Sequence, residues 1–182
     1  MDRKLVGFSR FMSLVLRHKP EEIGLVLDRE GWASLDELVT KARAHGQPLD
    51  RELVLQIVAE SEKQRFALSA DGQRIRANQG HSIEVDLALP AMIPPADLYH
   101  GTAERHLPSI RASGLNSGSR THVHLSPDRE TATRVGARHG KPAVLTIASG
   151  EMHKEGYIFH RSENGVWLTD VVPVAFIRFP AE

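Results

Sequence analysis

The chain contains no cysteine. That removes disulfides, thiolate-ligated zinc and thiol nucleophiles, and it leaves the redox compartment open. Aromatic residues make up only 5% of the sequence, and the formal net charge is +0. A neutral chain exerts no global attraction on a polyanion, so a nucleic-acid partner needs a local basic patch. No stretch approaches the roughly 20 apolar residues of a membrane span, and the N-terminus lacks the apolar run of a signal peptide. The expected setting is therefore cytoplasmic, with no membrane partner. GxSxG, a P-loop, HExxH and a GxGxxG following a strand are all missing, which disfavours serine hydrolases, P-loop NTPases, zincins and Rossmann dehydrogenases. What is present is a chain of 182 residues, 41% hydrophobic and 25% charged, enough for one good-sized core or two small ones. Among the cations arginine outnumbers lysine, which suits bidentate phosphate contacts.

The first half reads as helices followed by a hairpin. Leu5, Phe8, Phe11, Met12, Val15 and Leu16 recur at helical spacing, and Pro20 stops that helix after Arg17-His18-Lys19. Ser34 with Glu37 three residues later is a capping-box signature for a helix to about Ala44. Asp50 caps a third, with Leu53, Ile57 and Val58 expected to face inward. Arg65–Ser69 and Arg74–Ala77, joined by Ala70-Asp71-Gly72, form a β-hairpin. Three helices and a two-stranded wing make a winged-helix lobe, residues 1–90, of a kind that often binds nucleic acid. Val85, Leu87 and Leu89 alternate with polar or small residues, suggesting a short strand, and Pro90, Pro94 and Pro95 place a boundary near residues 88–96. The second lobe, residues 96–182, is strand-rich α+β with two helices. Its expected strands include Leu98–Thr102, Pro142–Ile147, part of Met152–Phe159, Gly165–Thr169 and Val174–Ile177.

Chemistry concentrates in Arg120–Gly140. Thr121, Val123 and Leu125 fall on one side of an extended chain and His122, His124 and Ser126 on the other. Ser126-Pro127-Asp128 stops the strand and starts a helix expected to run to about His139, with Arg134 and Arg138 on one face. The stretch suits an anionic ligand, though it also fits a strand packed through Val123 and Leu125 with solvated groups opposite. His122 and His124 lack a third ligand partner, so no metal is expected. Elsewhere Arg17, His18, Arg76 and Arg138 come from separate elements, and so do His100 and His124. Arginine forks hold phosphate oxygens, and histidine moves protons near neutral pH.

Six segments occur together and in order: LRHKP (Leu16–Pro20), RANQGHS (Arg76–Ser82), YHGT (Tyr99–Thr102), HVHLS (His122–Ser126), VGARHG (Val135–Gly140) and SENGVWLT (Ser162–Thr169). On this set the chain resembles the tRNA 2′-phosphotransferase family over essentially its full length. The resemblance implies an ADP-ribosyltransferase-like C-lobe that binds NAD, and a reaction that moves an internal RNA 2′-phosphate to NAD. In that reaction the phosphate displaces nicotinamide, and a ribose hydroxyl then attacks phosphorus to release 2′-OH RNA and ADP-ribose 1″,2″-cyclic phosphate. It maps the catalytic set onto Arg17, His18, Arg76 and Arg138, the arginines as a phosphate clamp and His18 as proton-transfer group or phosphate donor. It maps NAD contacts onto His100, Gly101, Thr102, His124, Ser126 and Val166. Many ADP-ribosyltransferases carry tyrosine where this chain has His124, and a catalytic glutamate where it has Val166. Those departures suit a phosphate nucleophile that needs no carboxylate base. The implied partner is RNA bearing an internal 2′-phosphate, with a monomer and no obligate protein partner expected. Arg65, Arg74, Arg134 and His139 are read as surface or supporting residues. Two other functions remain open: an ADP-ribosyltransferase acting on RNA or nucleotide ends, and a non-catalytic winged-helix nucleic-acid binder.

Overall fold

Leu5, Phe8, Met12, Val15 and Leu16 all lie buried along one face of helix α1 (Arg3–Arg17), as their spacing requires. The computed structural model describes residues 3–181, and the chain divides between Ala88 and Leu89 into two units with separate hydrophobic cores. In the first unit α1 is joined by α2 (Leu35–Ala44) and α3 (Arg51–Glu60). Ser34 Oγ accepts the Glu37 N–H at 3.3 Å, and Asp50 Oδ1 accepts that of Leu53 at 2.8 Å, so both expected caps form. The box around Ser34 is only half closed, because the Glu37 carboxylate turns to Lys41 at 3.7 Å. On α3 the fully buried pair is Val54 and Ile57, with Leu53 and Val58 packed at the margin.

The hairpin forms from β2 (Phe66–Leu68) and β3 (Arg74–Ala77), in the register Phe66↔Ala77 to Leu68↔Ile75. A strand that periodicity could not reveal, β1 (Ala33–Ser34), pairs with the other edge of β3. Its two residues carry no pattern of their own. The strand expected at Val85–Leu89 does not form. Val85 and Leu87 are buried and Glu84 and Asp86 exposed as alternation predicts, but no partner strand supplies a ladder.

The second unit centres on β4 (Leu98–Ala103) and β7, the strand Pro142–Ile147, antiparallel from Leu98↔Ile147 to Ala103↔Pro142. Helix α4 (Leu107–Ser113) and strand β5 (Leu115–Asn116) follow β4, then β6 (Val123–Leu125) and α5 (Arg129–Gly136) precede β7. Helix α6 (Ser149–Lys154) and strands β8 (His160–Arg161), β9 (Trp167–Thr169), β10 (Val171–Val172) and β11 (Ile177–Arg178) complete it. The sheets run β11-β7-β4, β6-β9-β8 and β10-β5, all antiparallel. Mutual backbone hydrogen bonds between Tyr99 and Ser126, at 2.7 and 2.9 Å, tie β4 to the end of β6.

Three expectations for this unit change. Met152–Phe159 starts inside α6, a third helix, and not in a strand. Val174–Phe176 is a single 3-10 turn after Pro173, and pairing begins only at Ile177. Helix α5, capped by Asp128 Oδ1 on the Thr131 N–H at 2.7 Å, ends at Gly136 and not near His139. Its docking explains both glycines. A Cβ on Gly101 would sit 1.8 Å from the Ala132 carbonyl oxygen, and one on Gly136 would sit 2.5 Å from that of Thr102. Backbone-to-backbone approach of α5 to β4 is possible only without those side chains.

Candidate functional site

In the first unit a loop organises the cationic residues. Asn78–Ser82 leaves β3 and returns against the C-terminal end of α1, where the Ser82 N–H donates to the Arg17 carbonyl at 3.0 Å. Ser82 Oγ lies 2.8 Å from His18 Nδ1. Gly80, at φ 88°, brings backbone beside the Arg17 guanidinium, so that a Cβ there would stand 3.6 Å from Nη1. At the start of the same loop the Asn78 N–H donates to the Arg65 carbonyl at 2.9 Å, and the Asn78 amide donates to the carbonyl of Gln64. Gln64 is held at φ 40°, a left-handed conformation that a non-glycine residue adopts only when its surroundings impose it. One loop thus fixes Arg17, His18 and the backbone of Arg65.

These three line a surface groove of about 700 Å³, together with Arg10, Lys63, Ser9 and Ser13, and with Glu60 and Glu62 at the α3 end. Under the loop sits His81, only 1% exposed, with a buried Nε2 that meets no hydrogen-bond partner. Burial, then the neighbouring Arg17, His18 and Arg76, push its pKa down to about 4. His81 is a neutral ring at physiological pH, an anchor and not a proton carrier.

Arg76 is not among the residues that line this groove. It is 7% exposed, its Nη1 donates to the Leu87 carbonyl at 3.3 Å, and its guanidinium lies 4.5 Å from the Trp32 ring centroid. Arg74 covers the same ring at 5.3 Å. A guanidinium enclosed in this way braces the hairpin against Trp32. Sequence reasoning set Arg65 aside as supporting, yet Arg65 shares the groove with Arg17 and His18. Its left-handed neighbour and its tie to Asn78 are tertiary features with no local signal.

In the second unit His100 Nδ1 donates to the His124 carbonyl at 3.0 Å. Burial lowers the pKa of His100, and the charges of Arg120 and His139 add to that, outweighing the bond to His124. The ring is therefore neutral with its proton on Nδ1, which leaves Nε2 as an acceptor. Arg120 Nη1 lies 3.1 Å from His124 Nδ1. Since guanidinium only donates, Nδ1 is the acceptor there and Nε2 carries the proton. Thr102 is buried with its Oγ1 3.3 Å from His106 Nδ1, and Ser126 is the residue bridged to Tyr99. Val166 is half-buried at the close of a turn in which the Ser162 N–H donates to the Val166 carbonyl at 2.9 Å.

Arg138 lies beyond the end of α5, exposed on a turn, so it does not share a helix face with Arg134 as expected. The arginine that the structure brings to His124 is Arg120. Its signal was legible: residues 120, 122 and 124 share the parity of the strand's polar side. Among the described residues no group of three or more His, Asp or Glu is placed to hold a metal ion, and no helix is long and apolar enough to cross a membrane.

A mixed α+β chain with an arginine–histidine groove in one unit and a pair of histidines beside Arg120 in the other carries side chains suited to phosphorylated ligands. Comparison with known proteins narrows this. The sequence profile described as RNA 2′-phosphotransferase, Tpt1 / KptA family, matches residues 3–171. A probable RNA 2′-phosphotransferase of Pseudomonas aeruginosa is 58% identical over 180 residues, covering 98% of this chain and 99% of the relative. One from Streptomyces coelicolor is 55% identical over 178 residues, covering 98% and 97%. Another, from Rhodopirellula baltica, is 53% identical over 180 residues, covering 98% of each. The chain belongs to the RNA 2′-phosphotransferase family.

Proposed function

We propose that this protein is an NAD-dependent RNA 2′-phosphotransferase, which takes an internal 2′-phosphate of the tRNA splice-junction type and passes it to NAD. The observation that carries the reading is the groove at the end of α1, where Arg17, His18 and Arg65 stand together with their backbones fixed by one loop. Two guanidinium groups and an imidazole match a phosphate dianion in charge and donor number, and they stabilise the spread of charge as phosphorus is attacked. Three helices with a β-wing support reading the first unit as a winged-helix lobe. The antiparallel sheets carrying His100 and His124 support an ADP-ribosyltransferase-like second lobe.

The residues of the second unit fit NAD. A neutral His100 presents Nε2 as an acceptor for a ribose hydroxyl and adds no positive charge near a cationic nicotinamide. His124 offers a protonated Nε2, and Arg120 offers a guanidinium for a phosphate oxygen. Gly101 gives backbone without a side chain, although packing against Ala132 already requires glycine there. NAD supplies an electrophilic ribose carbon whose leaving group is nicotinamide. Val166 places no carboxylate where one would repel an incoming phosphate. In this reading Arg17 and Arg65 clamp the phosphate, and His18 donates to a phosphoryl oxygen or moves a proton. Arg138, exposed beyond α5, is left as a lesser contributor.

The test uses a short RNA with one internal 2′-phosphate, incubated with and without NAD and without added metal. Loss of the phosphate only with NAD, with release of nicotinamide and ADP-ribose 1″,2″-cyclic phosphate, establishes the reaction. ADP-ribosylated RNA as the end product would instead favour the RNA ADP-ribosyltransferase. RNA binding with no consumption of NAD would favour the non-catalytic binder.

A further inference from the structure

Ser82 lies outside the groove's guanidinium set, yet two of its atoms hold the residues that line the groove. Its N–H donates to the Arg17 carbonyl at 3.0 Å, which fixes the last residue of α1 and the start of the turn carrying His18. Its Oγ is 2.8 Å from His18 Nδ1. Ser82 cannot slide away from that contact, because the preceding residue, His81, is 1% exposed and packed so that a Cβ on Gly31 would stand 3.3 Å from its Nε2. The loop's other end is tied to Gln64 and Arg65 through Asn78. An imidazole at a helix end carries two ring nitrogens on opposite edges, and the anchored Ser82 hydroxyl holds the Nδ1 edge, which sets the direction in which Nε2 points.

We propose that Ser82 is a positioning residue for His18, engaging Nδ1 so that Nε2 is the ring nitrogen presented to the RNA 2′-phosphate. The geometry gives this result whichever partner carries the hydrogen. A serine O–H donating to Nδ1 leaves Nε2–H as a donor, and an Nδ1–H donating to Oγ leaves Nε2 as a base or, in the imidazolium, a second donor. This rests on the phosphotransferase reading for the identity of the ligand, and the arrangement of the ring is testable apart from it.

Amide isosteres separate the two nitrogens. The Gln amide reaches to the place of Nε2 and the Asn amide to that of Nδ1, so His18→Gln should keep measurably more 2′-phosphate transfer than His18→Asn. Ser82→Ala should lower kcat about tenfold, the worth of one hydrogen bond, with little change in the KM for NAD. Ser82→Thr, which keeps the hydroxyl, should recover most of that loss. In a His18→Gln background, Ser82→Ala should cost almost nothing further. Imidazole ¹⁵N spectra of the ligand-free protein supply the arm independent of activity. Ser82→Ala should move the His18 Nδ1 resonance, and titration with 2′-phosphorylated RNA should move Nε2. His18→Asn equal to or better than His18→Gln, or a His18 Nδ1 resonance indifferent to Ser82→Ala, overturns the proposal. An inactive wild-type protein whose His18 Nδ1 responds to Ser82→Ala overturns the phosphotransferase reading and leaves the positioning role standing.

Discussion

Replacing Arg76 and Arg65 by alanine, one at a time, separates a bracing arginine from a working one. Arg76 is 7% exposed, its guanidinium lies over Trp32 at 4.5 Å, and it donates to the Leu87 carbonyl at 3.3 Å. A desolvated cation–π contact contributes about 1–2 kcal/mol, and a hydrogen bond from a charged donor about 1.5–3 kcal/mol. Truncation also leaves the Leu87 carbonyl without that donor. The expected loss for Arg76→Ala is therefore at least about 3 kcal/mol. For a unit of under 100 residues, each kcal/mol shifts Tm by about 4–8 °C, so the transition should fall by more than about 10 °C. Arg65 lines the groove and is only half-buried, and its placement comes largely from its backbone. Arg65→Ala should leave Tm within a few degrees and lower 2′-phosphate transfer about 100-fold or more, as expected for a lost transition-state donor. Thermal unfolding by circular dichroism and the RNA assay at a temperature where both variants are folded give the two readouts. A folded Arg76→Ala with unchanged Tm and no activity, beside an active Arg65→Ala, would refute this reasoning and return Arg76 to the clamp.

Gly101→Ala must push α5 off β4, since its Cβ would fall 1.8 Å from the Ala132 carbonyl oxygen. The cost should reach at least the 1–3 kcal/mol of ordinary overpacking, about the upper end or beyond, visible as loss of Tm. His81 gives a pH signature. Its folded pKa is about 4 against an ordinary 6.5, so the unfolded chain binds more protons between those values. Stability is full above pH 6.5 and declines by about 3 kcal/mol in total as pH falls to 4. Urea melts at pH 7.5 and 5 should show that decline in wild type and a flatter dependence in His81→Leu. Arg120→Ala should weaken transfer with Tm nearly unchanged, and His100→Ala should raise the KM for NAD, both measured by initial rates of nicotinamide release.

Much of the framework was written locally. Helical spacing from Leu5 to Leu16, the caps at Ser34 and Asp50, and the alternation around Val123 and Leu125 each act through neighbours a few residues away, and each formed as read. The ordered motifs also carried the family. Local pattern failed where an element depends on a partner elsewhere. Val85 and Leu87 alternate correctly but find no strand to pair with, and β1 exists only because β3 lies beside it. The roles of the arginines lay beyond sequence for the same reason. A guanidinium stands several bonds from its backbone, and whether it braces a ring or faces a ligand depends on what distant segments bring to it. Arg76 and Arg65 lie eleven residues apart on one hairpin. Trp32 and Leu87 enclose the first, whereas Asn78 holds the backbone of the second at the groove beside Arg17 and His18.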